Sequence, residues 1–391
     1  MTAVPAGVDL SGLTAGPAQT WGAVRLVPLL RPAPITDLRL HARLYDPDEL
    51  SVVRTGPRTA YVSYVPHAFV ATWTDDATPA AAYGTQLRDP ADTDPPAGIR
   101  LAFRRRLARR EDRHRLRFLP LHLALEGYLA LQFGGPPIAW QEWTRDAVTR
   151  GLSPRVEASY TGTAITGLDD ALRVFEIHPD QCGMVLYLAD ALAATFVVPH
   201  PDDYRALHPT LLRDFYGEQL FHYAHLYPAV PDFVSRLDDS RIATVAHLRA
   251  QLARVDADWT AFHAVMADGL LSARRRTVTP VRRMGRFTLS RFLPDFDPDA
   301  ENHIGEAITD ETGRTAYLRT YRLSAAQTRR GHLLSRLAAT DWDLDATAVA
   351  LRTDRDGLVQ RLDRAGFGHL LRPDIIDACR RHARERRGRR R

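Results

Sequence analysis

The window MVLYLADALAATFVV at 184–198 is the most apolar in the chain, and it limits the fold more than any other stretch. It is too short to cross a bilayer and carries Asp190 in its middle, so its apolar surface has to be covered by protein. CGMVLYLAD followed by ATFVVPH therefore reads as a buried hairpin. Strand-like runs rich in Val and aromatic residues precede it: WGAVRLVPLL from Trp21, TAYVSYVPHAFVATWT and IRLAFRR, bounded by Pro, Gly and Asp. DATPAAAYGTQLRDPADTDPPAG, between the last two, reads as a long loop.

Helical patterns are interleaved with these strands. HLALEGYLALQF (122–133) stops at Gly134-Gly135-Pro136-Pro137, and AWQEWTRDAVTRGL closes at Gly151. LDDALRVFEIHPDQ is helical or mixed, and PTLLRDFYGEQLFHYAHLY (209–227) reads as one long amphipathic helix. Together they predict an α+β domain at about 21–230, after a small, polar leader at 1–20 that is expected to be disordered. Residues 231–320 read as a helical and loop connector, with a helix near 241–271 and then the turn-rich FLPDFDPDAENHIGEAITDETGRTAYLRTYR. An all-α unit is expected over 321–372, and 373–391, ending in RRHARERRGRRR, as a solvated basic tail.

Composition narrows the chemistry. All 52 basic residues are Arg; the absence of Lys excludes a Walker-type phosphate loop, a pyridoxal Schiff base, a protein-kinase lysine and a lysine general base. Cys182 and Cys379 stand alone and far apart, which leaves no disulfide framework and no thiolate zinc cluster. The start lacks the basic head and apolar segment of a signal peptide, so a cytoplasmic protein with no membrane partner is expected. Residues 322–391 carry 17 Arg against 9 acidic residues, whereas 1–321 carry 35 against 38. The positive charge thus sits in the last fifth of the chain, where an acidic polymer would be held.

That fifth has a recognisable pattern. Ser324 and Gln327 have capping-box spacing ahead of the stripe Leu333, Leu334 and Leu337. Asp343 or Asp345 can cap a short helix carrying Ala348 and Leu351, and Asp354 can cap another carrying Leu358 and Leu362, closed by Gly366. The stretch DWDLDATAVALRTDRDGLVQRLDRAGF (341–367) resembles the Fis-type helix-turn-helix at the end of bacterial enhancer-binding activators, from Trp342 through Arg355 to Phe367. It departs from that family at Arg352, where glycine is usual, at Thr353, where an aliphatic residue is usual, and at Gly357, Asp356 and Asp363 in the recognition helix. The resemblance implies binding of double-stranded DNA through Arg355, Gln360, Arg361 and Arg364, because Arg grips guanine edges or phosphates and Gln reads adenine. The plainer reading of the same helices is packing or partner binding.

The larger part of the chain resembles the bacterial domain family named for its association with ADP-ribosylglycohydrolases and rhodanese-phosphatases, the ARPP type. The likeness lies in WGAVRLVPLL, SYTGTAITGLDDAL and HPDQCGMVLYLADALAATFVVPHPDDYRAL, over about 21–230. It implies a setting in ADP-ribose or NAD-linked biology and assigns no catalytic residue. His200, Asp202, Asp203, Tyr204 and His208 follow a strand end and form a possible pocket rim, which Gln181 and Arg205 could join to grip the ribose or phosphate of an ADP-ribose-like molecule. Capping aspartates and a buried tyrosine explain the same residues.

Helical and loop segments both carry metal-ligand spacings. Asp214, Glu218, His222 and His225 share one helical face, and His122 with Glu126 repeats the four-residue spacing. Asp295, Asp297, Asp299, Glu301, His303 and Glu306 have calcium-loop spacing, but Ala300 replaces the glycine that the sharp turn requires. In both cases polar surface is the plainer reading, and no cofactor is expected. The reading with most support is a homodimeric DNA-binding regulator or adaptor with an N-terminal sensor or scaffold. Its alternative is an enzyme or accessory subunit acting on ADP-ribose or NAD-related nucleotides, with the C-terminal helices used for assembly.

Overall fold

The computed structural model describes residues 10–40, 168–189, 191–215, 220–229, 235–266 and 276–388, together with five short strands between 52 and 88. The predicted runs at 99–105, 122–133 and 139–152 lie outside the described residues, as do His122 and Glu126.

The centre is the expected hairpin. β10 (Gln181–Leu188) and β11 (Ala191–Val197) pair antiparallel through a turn in which Ala189 has φ 48°. β3 (Val24–Leu30) flanks β10, with Val27 opposite Val185. All of β10 is buried, which is why its sequence is a continuous apolar run rather than an alternating one.

The leader does not follow expectation. β1 (Thr14–Ala15) and β2 (Gln19–Trp21) both pair with β3, and Leu10, Leu13 and Ala18 pack on Val27, Leu29 and Tyr187. A few apolar side chains among small residues are enough to hold this segment once β3 offers a free edge. Short strands also occupy the segments between: β4 (Leu38–Leu40), β5 (Val52–Arg54), β6 (Ala60–Ser63), β7 (Val70–Trp73), β8 (Ala80–Ala81) and β9 (Thr85–Arg88). They form two three-stranded sheets, β4-β7-β8 and β5-β6-β9, so part of the predicted loop after Trp73 is strand.

The stretch read as a connector is corrected most. The helix near 241–271 is present over Val245–Met266, but the turn-rich part is an antiparallel meander: β12 (Arg276–Met284), β13 (Phe287–Pro294), β14 (His303–Asp310) and β15 (Thr315–Arg322). β15 pairs with β11, so the main sheet runs β1-β3-β10-β11-β15-β14-β13-β12. The turn residues Gly285, Gly313 and the Asp297–Ala300 loop are the corners of that meander, and the alternating residues between them are its strands.

On one face of the sheet, Leu26, Met184, Phe196, Leu289, Ile308 and Tyr317 meet the helices α1 (Leu168–Val174) and α2 (Pro201–Phe215) through Phe175, Tyr204, Leu207 and Leu211. α2 starts at Pro201 and passes through Pro209, where the expected helix began. Proline suits the first helical position and costs one backbone bond further in, so the earlier start is the favoured one. The remainder of the expected helix is described as α3 (Phe221–His225). α4 spans Val245–Met266.

Four helices close the chain: α5 (Ala325–Ala339), α6 (Leu344–Ala350), α7 (Arg355–Arg364) and α8 (Pro373–Gly388). The expected solvated tail is thus largely a helix. Ile375, Ile376 and Cys379 give α8 an apolar stripe that packs on Leu358, Val359 and Leu362 of α7. α5 belongs to two cores at once: Leu334 joins the sheet's cluster, Leu333 and Leu337 join the helical one, and Trp342 and Phe367 pack against both.

Candidate functional site

The residues gathered by the sequence around the end of β11 lie near the start of α2, and they bond partly to one another and partly to Arg39 and nearby backbone. Asp203 is buried and receives a two-edged grip from Arg39 on β4, with Nε 3.0 Å from Oδ2 and Nη2 2.8 Å from Oδ1. Hydrogen bonding to Asp203 raises the Arg39 guanidinium above its ordinary pKa. Arg205 donates to Asp202 Oδ1 at 2.7 Å and to the Pro179 carbonyl at 2.6 Å, and His200 Nδ1 accepts from the Asp202 backbone N–H at 3.2 Å. His200 therefore acts as a cap for α2, with Asp202 and Asp203 in the positive first turn.

Gln181, fully buried, accepts from the His178 backbone N–H at 3.0 Å and donates to the Gly183 carbonyl at 3.1 Å. The Tyr204 hydroxyl lies 3.0 Å from His208 Nδ1, and His208 Nε2 lies 2.7 Å from the Phe175 carbonyl. Burial pushes the Tyr204 phenol well above the tyrosine range and holds the His208 imidazole below its usual value. Cys182 is buried beside Arg31; burial raises its thiol to about 11, with Arg31 pulling the other way, so it is a protonated side chain and not a nucleophile at neutral pH.

One cluster escaped the sequence reading. Arg291, Glu306 and Arg319 stand side by side across β13, β14 and β15, with Arg291 Nε 2.7 Å from Glu306 Oε1. Glu306 and Arg319 are buried, and Tyr317 and Tyr321 flank them. The period-two pattern carries the signal: each charge is framed two residues away by apolar neighbours, as in Leu289-Arg291-Leu293, Ile304-Glu306-Ile308 and Tyr317-Arg319-Tyr321. The calcium-loop reading fails for the same reason. His303 and Glu306 are buried in β14, and Asp297 accepts from the Asp299 backbone N–H at 3.0 Å.

Among the described residues no group of His, Cys, Asp or Glu is arranged to hold a metal ion. His222 and His225 are exposed on α3, where His225 meets Trp21 edge-on with ring centroids 4.9 Å apart. Glu218 lies outside the described residues. No helix among the described residues is long and apolar enough to cross a membrane.

At the C-terminal helices the capping pattern is as read. Ser324 and Gln327 form a reciprocal capping box, Asp343 accepts from the Ala346 N–H at 2.6 Å, and Asp354 accepts from the Gly357 N–H at 2.7 Å. Gly357 has a steric reason: a Cβ there would run into Thr353 Oγ1 and the Asp354 carboxylate. Three helices end alike, in a motif whose left-handed residue is Asp341 (φ 50°), Arg352 (φ 50°) or Gly366 (φ 84°). For α6 the Thr353 N–H bonds to the Ala348 carbonyl at 2.9 Å and the Arg352 N–H to that of Val349 at 3.0 Å, the Schellman pattern.

α7 is divided lengthwise. Leu358, Val359 and Leu362 face the core, and α8 covers the side bearing Asp356, Gln360 and Asp363. There Cys379 Sγ donates to the Asp356 carbonyl at 3.3 Å, Gln360 Nε2 lies 3.9 Å from Cys379 Sγ, and Arg380 lies 3.6 Å from Asp363. Arg355 is exposed and paired with Asp345 at 3.1 Å. Arg361 and Arg364 are exposed and make no ion pair among the described residues.

A model of the ARPP-2 family matches residues 8–285, which takes in β1 to β12 and helices α1 to α4. No curated protein and no solved structure matches the chain. A family match over more than half of the sequence settles its descent, and the chain belongs to the ARPP-2 family.

Proposed function

We propose that α5–α8 form a Fis-type helix-turn-helix and that the protein is a DNA-binding regulator or adaptor, with the sheet as its sensor or scaffold. The observation that carries this is the exposed side of α7, where Arg361 and Arg364 are solvent-facing and free of ion pairs among the described residues. Unpaired guanidinium groups one turn apart suit phosphates or guanine edges in a major groove. Arg381 and Arg384 on α8 add charge for the backbone, and Asp356 and Asp363 engage His382 and Arg380 of α8. Arg380 thereby offsets the charge of Asp363, one of the acidic residues that weigh against DNA.

Asp203, Gln181 and Arg205, which an ADP-ribose-like ligand would need, already bond to Arg39 and to the Gly183 and Pro179 carbonyls, so DNA is the reading supported better. It is tested with the full chain and a labelled duplex at two salt concentrations. Arg361→Ala and Arg364→Ala should each weaken binding and lower the salt slope by about 1 if the side chain meets a phosphate. Gln360→Ala, on the side facing α8, should change affinity little. Duplex binding that is absent, or indifferent to both arginines, would exclude the reading.

A further inference from the structure

α4 carries an apolar pattern whose first three residues are exposed. Val245, Leu248, Leu252, Val255, Trp259, Phe262 and Met266 are spaced alternately by three and four residues over the whole of Val245–Met266. That is an unbroken heptad seam, the spacing with which two helices wind around each other. Val245 is 66% exposed, Leu248 36% and Leu252 45%, and Val255 is half-buried. The neighbouring flank of the helix is covered by its own chain: Ser235 donates to Asp258 at 2.7 Å, Arg254 to the Arg236 carbonyl at 2.6 Å, and the Asp238 N–H to Gln251 at 3.5 Å. Leu237, beside that last contact in sequence, is 39% exposed and extends the apolar strip.

We propose that α4 pairs antiparallel with α4 of a second copy of this chain. The orientation follows from size and charge. Run antiparallel, the seam sets Val245 opposite Phe262, Leu248 opposite Trp259 and Leu252 opposite Val255, with each large residue against a smaller one. The same alignment sets Arg249 opposite Asp256 of the second copy, twice by symmetry. Arg249 is exposed and makes no ion pair among the described residues. A parallel pair would stack Trp259 on Trp259 and leave Arg249 about 10 Å along the axis from Asp256, too far for an ion pair. The contact stands whether or not the protein binds DNA.

The test uses the full chain in analytical ultracentrifugation across a wide concentration range. The wild type should be a reversible dimer. Leu252→Glu should raise the dimer dissociation constant by about a hundredfold with an unchanged circular dichroism spectrum, because it puts charge at the centre of the seam without touching the cores. Arg249→Asp or Asp256→Arg alone should raise it by about tenfold, since each sets like charges face to face twice, and the double swap should restore wild-type affinity. A monomeric wild type, or a Leu252→Glu protein that loses structure instead of dissociating, would mean that the seam is covered by the chain itself and would overturn the proposal. Failure of the double swap to restore affinity would overturn the antiparallel pairing.

Discussion

The hydroxyl of Tyr204 stands 3.0 Å from Nδ1 of His208, one turn further along α2, deep under the sheet. The Phe175 carbonyl at 2.7 Å can only accept, so Nε2 carries the imidazole proton and Nδ1 accepts from the tyrosine. Burial keeps this ring neutral by holding its pKa below the ordinary 6.5. The unfolded chain therefore takes up a proton near pH 6.5 that the folded chain refuses. The stabilisation is complete above that pH and declines as pH falls below it. His332, also lowered by burial and by Arg336, acts in the same direction. Urea unfolding should give a lower stability at pH 5.5 than at pH 7.5, and His208→Gln should flatten the difference. A stability that rises on acidification would contradict this. Tyr204→Phe should cost about 1–3 kcal/mol at neutral pH, since it leaves a buried acceptor without its donor.

The shared ending of α5, α6 and α7 makes a prediction with two signs. Arg352 closes α6 in the left-handed region, where a side chain costs about 1 kcal/mol that glycine does not. Arg352→Gly should raise the thermal midpoint of the full chain, and Gly366→Ala, the reverse change at the end of α7, should lower it. Arg352→Ala is the control, with the charge removed and the strain kept. If Ala and Gly stabilise equally, charge and not backbone conformation is the cause.

Gly331 sits in the middle of α5, where glycine normally weakens a helix by about 1 kcal/mol relative to alanine. A Cβ at this position would collide with the ring of Phe296, itself held at φ 56° between β13 and β14. Gly331→Ala should therefore destabilise, by about 1–3 kcal/mol, instead of stabilising. Denaturant titration followed by tryptophan emission and by circular dichroism should show both signals moving together, because sheet and helices share this contact.

The parts of the fold that could be read in the sequence were those whose cause is local. The hairpin of β10 and β11 is too apolar to be anything but buried, and Ser324, Asp343, Asp354 and Gly366 mark helix ends by their own side chains or by lacking one. The meander β12–β15 was hidden because its corners are crowded with Asp, Pro and Gly, and turn chemistry spaced every few residues looks like a loop. Its Arg291-Glu306-Arg319 row broke the apolar alternation at the positions that would have revealed strands. The polar residues around α2 are neighbours in the sequence, but their partners are not visible there: Arg39 is 164 positions away from Asp203, and only the folded chain brings them together. In the sequence the four polar residues of α7 are equivalent; in the fold α8 lies against Gln360 and leaves Arg361 and Arg364 exposed.

The placement of α5 bears on how such a chain can be rearranged. A reading head on a flexible tether can be exchanged between proteins by recombination in the tether. Here the helix that would begin that head also roofs Phe296 and shares the sheet's core through Leu334, so a cut before Ser324 strips cover from both sides. The same arrangement leaves no tether between them, because α5 sets Gly331 on the ring of Phe296 while its Leu333 and Leu337 lie in the core of the closing helices.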